Sequence, residues 1–126
     1  AGNAILNAFC ENFSLTHLNL SANRLDDHNC AVLAEMLQKN TTLLSLNLNY
    51  NQIGRNGSFV TNSLSKNKSL EFLGLRHNNL LPITIESFLE SLFLNTTLIQ
   101  LDLLRVLDDD QIIVIQKEEK YFPILS

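Results

Sequence analysis

The chain has only two prolines and four glycines among 126 residues, and charged side chains make up just 17%. A composition this poor in turn formers and charge excludes a flexible linker or a disordered tail. Cysteine is scarce as well. Two cysteines cannot staple a small secreted scaffold; they read as free thiols in a reducing compartment, so the chain is expected to be cytoplasmic. Basic residues number 9 against 13 acidic ones, for a formal net charge of −4. No basic stripe is available to track phosphates, which argues against nucleic acid as a partner. No apolar run approaches the ~18 residues of a membrane span, and no signal peptide is visible at the start. What the chain does hold is hydrophobic residues, 45% of the total, which suits one compact domain.

Those hydrophobic residues are regularly spaced. Leu15-Thr-His-Leu18-Asn-Leu20-Ser-Ala-Asn23-Arg-Leu25 recurs as Leu43-Leu-Ser-Leu46-Asn-Leu48-Asn-Tyr-Asn51-Gln-Ile53. It recurs again as Leu70-Glu-Phe-Leu73-Gly-Leu75-Arg-His-Asn78-Asn-Leu80, and a fourth copy opens as Leu98-Ile-Gln-Leu101-Asp-Leu103. First leucines at 15, 43, 70 and 98 give steps of 28, 27 and 28. A fixed period of this size marks a solenoid. The intervening stretches repeat too, with apolar pairs Ile5 and Phe9, Leu33 and Leu37, Val60 and Leu64, Phe88 and Leu92. A four-residue step puts each pair on one helical face. Asn12, Asn40, Asn67 and Asn95 each precede a first leucine by three residues. Asn tolerates a left-handed backbone, so these positions are expected to end the helices.

Each unit therefore predicts a short strand, a turn, a helix and a return loop. Leu-x-Leu alternation sends Leu18 and Leu20 inward while His17 and Asn19 face solvent. The helix supplies the long crossover that parallel strands need. A helix is wider than a strand, so the stack must curve with its strands on the concave face.

Over about residues 3 to 103 the chain resembles the leucine-rich repeat family. The similarity is to the long subclass seen in ribonuclease inhibitor, nucleotide-binding immune receptors and tropomodulin-like actin regulators. The resemblance implies an α/β solenoid with a curved parallel sheet on the concave face and helices on the convex face. It also implies a structural ladder at Asn23, Asn51 and Asn78. The physical reason is that a tight turn leaves backbone groups unpaired, and a carboxamide donates and accepts at once. In the family the concave face commonly holds a protein partner.

The expected organisation is one domain over 1–126. Residues 1–14 are the helical half of an incomplete repeat, 15–42, 43–69 and 70–97 are repeats, and 98–126 hold a last strand and a divergent segment. The chain thus starts inside a repeat, and its open N-terminal end, with Ile5 and Phe9 on the first helix, is expected to self-associate weakly. At the other end Val106 replaces the ladder Asn and Asp108 replaces an apolar residue. The β-branched run Ile112 to Ile115 favours a strand or cap segment, with a helix as the alternative.

Catalytic and metal chemistry find little support. Histidines occur at 17, 28 and 77, and no nucleophile elbow, phosphate loop, zinc-binding His pair or Cys-x-x-Cys motif is present. His17 and His77 stand two strands apart, about 10 Å, too far to share a proton or metal. The Asp108-Asp109-Asp110 run fails as a calcium loop, because its sixth residue is Ile113 where glycine is required. The expectation is no enzyme, no metal and no cofactor. Sequons at Asn12, Asn40, Asn56, Asn67 and Asn95 mostly share one repeat position, where the helix end already explains the Asn. Cys10 and Cys30 do not share a column, so no disulfide is expected, and both read as partly buried apolar residues.

The register also sorts the concave face into columns. They read His17, Ser45, Phe72, Gln100; Asn19, Asn47, Gly74, Asp102; Ser21, Asn49, Arg76, Leu104; and Ala22, Tyr50, His77, Arg105. Most are small and polar. The exceptions Tyr50, Phe72, Arg76, His77, Asp102 and Arg105 cluster, and aromatics with Arg are the usual anchors of an interface. The expected function is a non-enzymatic protein-binding module using this face, with another protein as partner and no nucleic acid or membrane. The alternative is a structural repeat segment of a larger intracellular protein, such as a regulatory or sensor protein.

Overall fold

A computed structural model describes residues 2–105, 111–117 and 123–125, with backbone alone from residue 104 onward. Four parallel strands line one side: β1 (His17–Asn19), β2 (Ser45–Asn47), β3 (Phe72–Gly74) and β4 (Gln100–Arg105). Between them run α1 (Gly2–Cys10), α2 (Cys30–Lys39), α3 (Gly57–Leu64) and α4 (Pro82–Leu94), with a short 3-10 turn at Asp27–Asn29 before α2. His17, Ser45, Phe72 and Gln100 stand in register across the four strands, as do Leu18, Leu46, Leu73 and Leu101. The leucine spacing thus builds an α/β solenoid with an open parallel sheet and helices packed against it.

The inner leucines form one continuous core. Leu46, Leu48, Leu73, Leu75, Leu101 and Leu103 are buried against Leu33, Leu37, Val60, Leu64, Phe88 and Leu92 from the helices. Burial of each such side chain contributes about 1.5–3 kcal/mol. The first unit is different. On α1 it is Leu6 and Cys10 that are buried, while Ile5 is 50% exposed and Phe9 half-buried. Ile5 thus does not pack inward as its match to Leu33 and Val60 in the repeat would suggest. Its counterparts Leu33 and Val60 each lie in a helix flanked on both sides, whereas α1 packs against α2 alone. Leu18, on the outermost strand, is only half-buried for the same reason.

Two asparagine ladders stitch the units. In the strand-turn, the Asn51 carboxamide accepts from the Asn23 and Leu25 N–H groups at 3.1 and 2.9 Å and donates to the Leu20 carbonyl at 3.0 Å. Asn78 repeats this on the Ile53 N–H and the Leu48 carbonyl. Asn23 belongs to the same column but is exposed, bonding only its own Ser21 carbonyl through its side chain.

The second ladder corrects the reading of the helix ends. Asn40 and Asn95 have φ of −76° and −75° with extended ψ, not a left-handed backbone. Their value lies in the side chain. Asn67 Oδ1 accepts from the Ser69 and Leu70 N–H groups, while its Nδ2 donates to the Leu37 and Asn40 carbonyls of the preceding unit. Asn40 and Asn95 do the same. All three are buried, so at these three sequons the Nδ2 has no room for a glycan in the folded chain. Among the described residues the left-handed ones are instead Ala22, Arg24, Tyr50 and His77, all in the strand-turns.

Asp27 adds a tie between units. Its carboxylate accepts from the Gly54 and Asn56 N–H groups at 2.9 and 3.0 Å, just ahead of α3. Both cysteines are free and buried, more deeply than the half-burial expected of them. Burial, then Asp27 and Asp26, push the Cys30 thiol up to about 12, and burial raises Cys10 as well.

Past β4 the sheet reverses direction. β5 (Gln111–Lys117) pairs antiparallel with β4, and β6 (Pro123–Leu125) antiparallel with β5. Of the two readings for the β-branched run, the strand is the one adopted. Val106 and the Asp108–Asp110 run lie outside the described residues.

Candidate concave binding face

The strand-turn places the fourth column on a left-handed backbone, with φ of 58° at Tyr50 and 56° at His77. The two turns stand side by side, so their rings stack, with centroids 4.3 Å apart and planes 12° from parallel. Tyr50 is 60% exposed and His77 is also exposed, so the pair forms an open aromatic surface at the strand ends. A left-handed conformation costs a non-glycine residue about 1–2 kcal/mol. Asn and Gly suit such a turn best, and this column carries Ala22, Tyr50 and His77 instead.

Beside the stack lies an ion pair. Arg76 Nη2 donates to Asp102 Oδ2 at 3.2 Å, and Gln100 Nε2 donates to the other carboxylate oxygen at 2.9 Å. Asp102 is only 5% exposed, whereas the Arg76 side chain as a whole is about one-third open. The carboxylate is thus committed to holding Arg76 in place, and of the pair it is the arginine side chain that stays partly open, although its Nε is buried without a hydrogen-bond partner. The Arg76 backbone is fixed in turn by Asn49 Oδ1, which accepts its N–H at 2.8 Å. Gly74 makes that possible, since a Cβ there would sit 2.9 Å from Asn49 Oδ1.

The six residues singled out in the sequence divide accordingly. Tyr50, His77 and Arg76 come together with Asp102, but Asp102 supports from below and does not present itself. Phe72 is half-buried between its strand neighbours, not the open apolar ring the alternation suggests. Arg105 closes β4, and its side chain lies outside what is described. Gln100 was passed over, although its place two residues before Asp102 on one strand puts both on the same face. Among the described residues no three His, Cys, Asp or Glu side chains gather to hold a metal ion. No helix among them is long and apolar enough to cross a membrane.

No protein-family model matches the chain, and a search of curated proteins finds no match. Solved structures do match. One is leiomodin-1 actin-binding site 2, at 31% identity and a TM-score of 0.71, covering 83% of this chain. This chain spans 65% of that one. The repeat register, the ladders and this match together show a leucine-rich-repeat-like fold related to the tropomodulin and leiomodin family.

Proposed function

We propose that the chain is a non-enzymatic protein-binding module that docks actin through its concave face. The observation that carries the reading is the match to leiomodin-1 actin-binding site 2 over most of the chain. The surface chemistry supports the choice of face. Tyr50 and His77 hold aromatic rings open to solvent on a backbone that would favour glycine, and backbone strain of this kind concentrates at functional sites. Arg76, held by Asp102, whose other oxygen accepts from Gln100, supplies a pre-oriented cation next to them. A rigid aromatic pair with an immobilised arginine loses little side-chain entropy on docking.

Co-sedimentation with filamentous actin tests the proposal. The wild-type chain should pellet with filaments in a saturable way. The double change Tyr50→Ser, His77→Ser should weaken binding about 10-fold to 100-fold while circular dichroism stays unchanged. A wild-type chain that stays in the supernatant at every actin concentration refutes actin as partner. Binding that survives the double change places the contact on another face.

A further inference from the structure

We propose that the turn end of the concave face is an arginine-lined rim that captures an acidic stretch of polypeptide, pairing its carboxylates with Arg24, Arg55 and Arg76. The inference rests on this face being the docking surface and does not need filamentous actin to be the ligand. It starts from how the fold sorts its cations. The chain has four arginines, at 24, 55, 76 and 105. Arg24 and Arg76 lie in strand-turns, Arg55 lies between the second strand-turn and α3, and Arg105 closes β4. The lysines of the repeats, Lys39, Lys66 and Lys68, stand instead at or just past the C-terminal ends of α2 and α3. Each helix runs back against its strand, so the lysines occupy the opposite end of the solenoid, where the strands begin.

The acids are sorted as well. Among the described residues the exposed ones are Glu11 and Glu71, near the strand starts, and Glu35, Glu86 and Glu90, on the helices. Three acids stand near the rim, and each is already occupied. Asp26 accepts the His28 N–H, Asp27 accepts the Gly54 and Asn56 N–H groups, and buried Asp102 is held by Arg76 and Gln100. A chain of net charge −4 thus collects its arginines where no exposed carboxylate neutralises them among the described residues. A local field of this kind steers a ligand of opposite charge in spite of the overall sign.

The arginines have capacity to spare. Arg24 and Arg55 are exposed and form no ion pair or side-chain hydrogen bond among the described residues. Arg76 spends its Nη2 on Asp102, which leaves donors on its partly open side chain for a second carboxylate. A guanidinium keeps its charge at any physiological pH, and its planar fork matches a carboxylate better than an ammonium does. Neighbouring strands are about 4.8 Å apart, so the turns of Arg24 and Arg76 are separated by about 10 Å. Carboxylates on alternate residues of an extended polypeptide repeat at about 7 Å, within reach of these long side chains. Between the two turns Arg55 borders a cleft of about 540 Å³ that Gln52, Asn79 and Leu81 also line. The amides there suit a peptide backbone, and the Tyr50–His77 stack beside Arg76 gives the segment an aromatic surface to lie against.

The test uses the whole chain. With filamentous actin, Arg24→Glu and Arg55→Glu together should weaken co-sedimentation about 10-fold at low salt while circular dichroism stays unchanged. The wild-type affinity should also fall more steeply with added salt than that of the variant. Filament binding that ignores the charge reversal overturns the inference and leaves the docking face itself standing. If the chain does not bind filaments, actin fails as the ligand and a short synthetic peptide of alternating glutamate and threonine decides, titrated into the isotope-labelled chain by amide NMR. Saturable shifts around Arg24, Arg55 and Arg76, lost in the double variant and missing with the matching lysine peptide, support the acidic partner. No saturable shift, equal shifts with the lysine peptide, or a preference for phosphatidylserine vesicles over the glutamate peptide overturns it.

Discussion

Replacing Asn51 with leucine tests the strand-turn ladder most directly. The side chain is 5% exposed and makes five hydrogen bonds. Leucine has similar size and none of the polar atoms, so the substitution strands the Leu25 N–H and the Leu20 carbonyl in the core between units. Each buried group left without a partner costs about 1–3 kcal/mol. With two deeply placed groups and a less critical loss at Asn23, a destabilisation of about 2–4 kcal/mol is expected. Urea denaturation followed by circular dichroism should show a midpoint about 1–2 M lower. The melting temperature should fall by roughly 10 °C. The same change at Asn23 serves as an internal control, because that amide is exposed and bonds only Ser21. It should cost less than about 0.5 kcal/mol. Equal effects at the two positions, or a loss below about 1 kcal/mol at Asn51, would refute the idea that the carboxamide holds the seam.

Leu48→Ala should cost about 2–5 kcal/mol by chemical denaturation, while Asn47→Ala beside it should cost about 1 kcal/mol or less. Similar losses would mean the strand faces are assigned wrongly. Asp27→Ala frees the Gly54 and Asn56 N–H groups and should lower stability by about 1–2 kcal/mol. Hydrogen exchange should quicken first at the start of α3; uniform exchange would argue against a local tie. Cys30 should resist alkylation at pH 8 until the chain unfolds, because its thiol is held at about 12 against its ordinary 9.0. The folded state retains that proton while the unfolded chain sheds it. The contribution is therefore intact below pH 9 and is lost as pH rises from about 9 toward 12. Cys30→Ala should flatten this alkaline decline, and an unchanged slope would assign it to other groups.

The sequence by itself determined the architecture. Steps of 28, 27 and 28 between first leucines, with alternation inside each strand, admit one way to bury Leu46, Leu48, Leu73 and Leu75 together. The recurring Asn51 and Asn78 were legible as ladder residues for the same reason, since a periodic chain repeats its unpaired backbone groups as well as its leucines. Periodicity states which way a residue points, but depth depends on what neighbouring units bring. That is why Asp102 proved buried beneath Arg76, Phe72 half-covered and Ile5 open, although all three occupy regular positions in the pattern. The same limit hid the second ladder. Asn40, Asn67 and Asn95 looked like local helix stops, and only the packing of one unit on the next revealed their amides spanning about 30 residues of chain to a neighbour's carbonyl. The stacking of Tyr50 on His77 likewise required two left-handed turns brought side by side, a contact that exists only once the strands have paired.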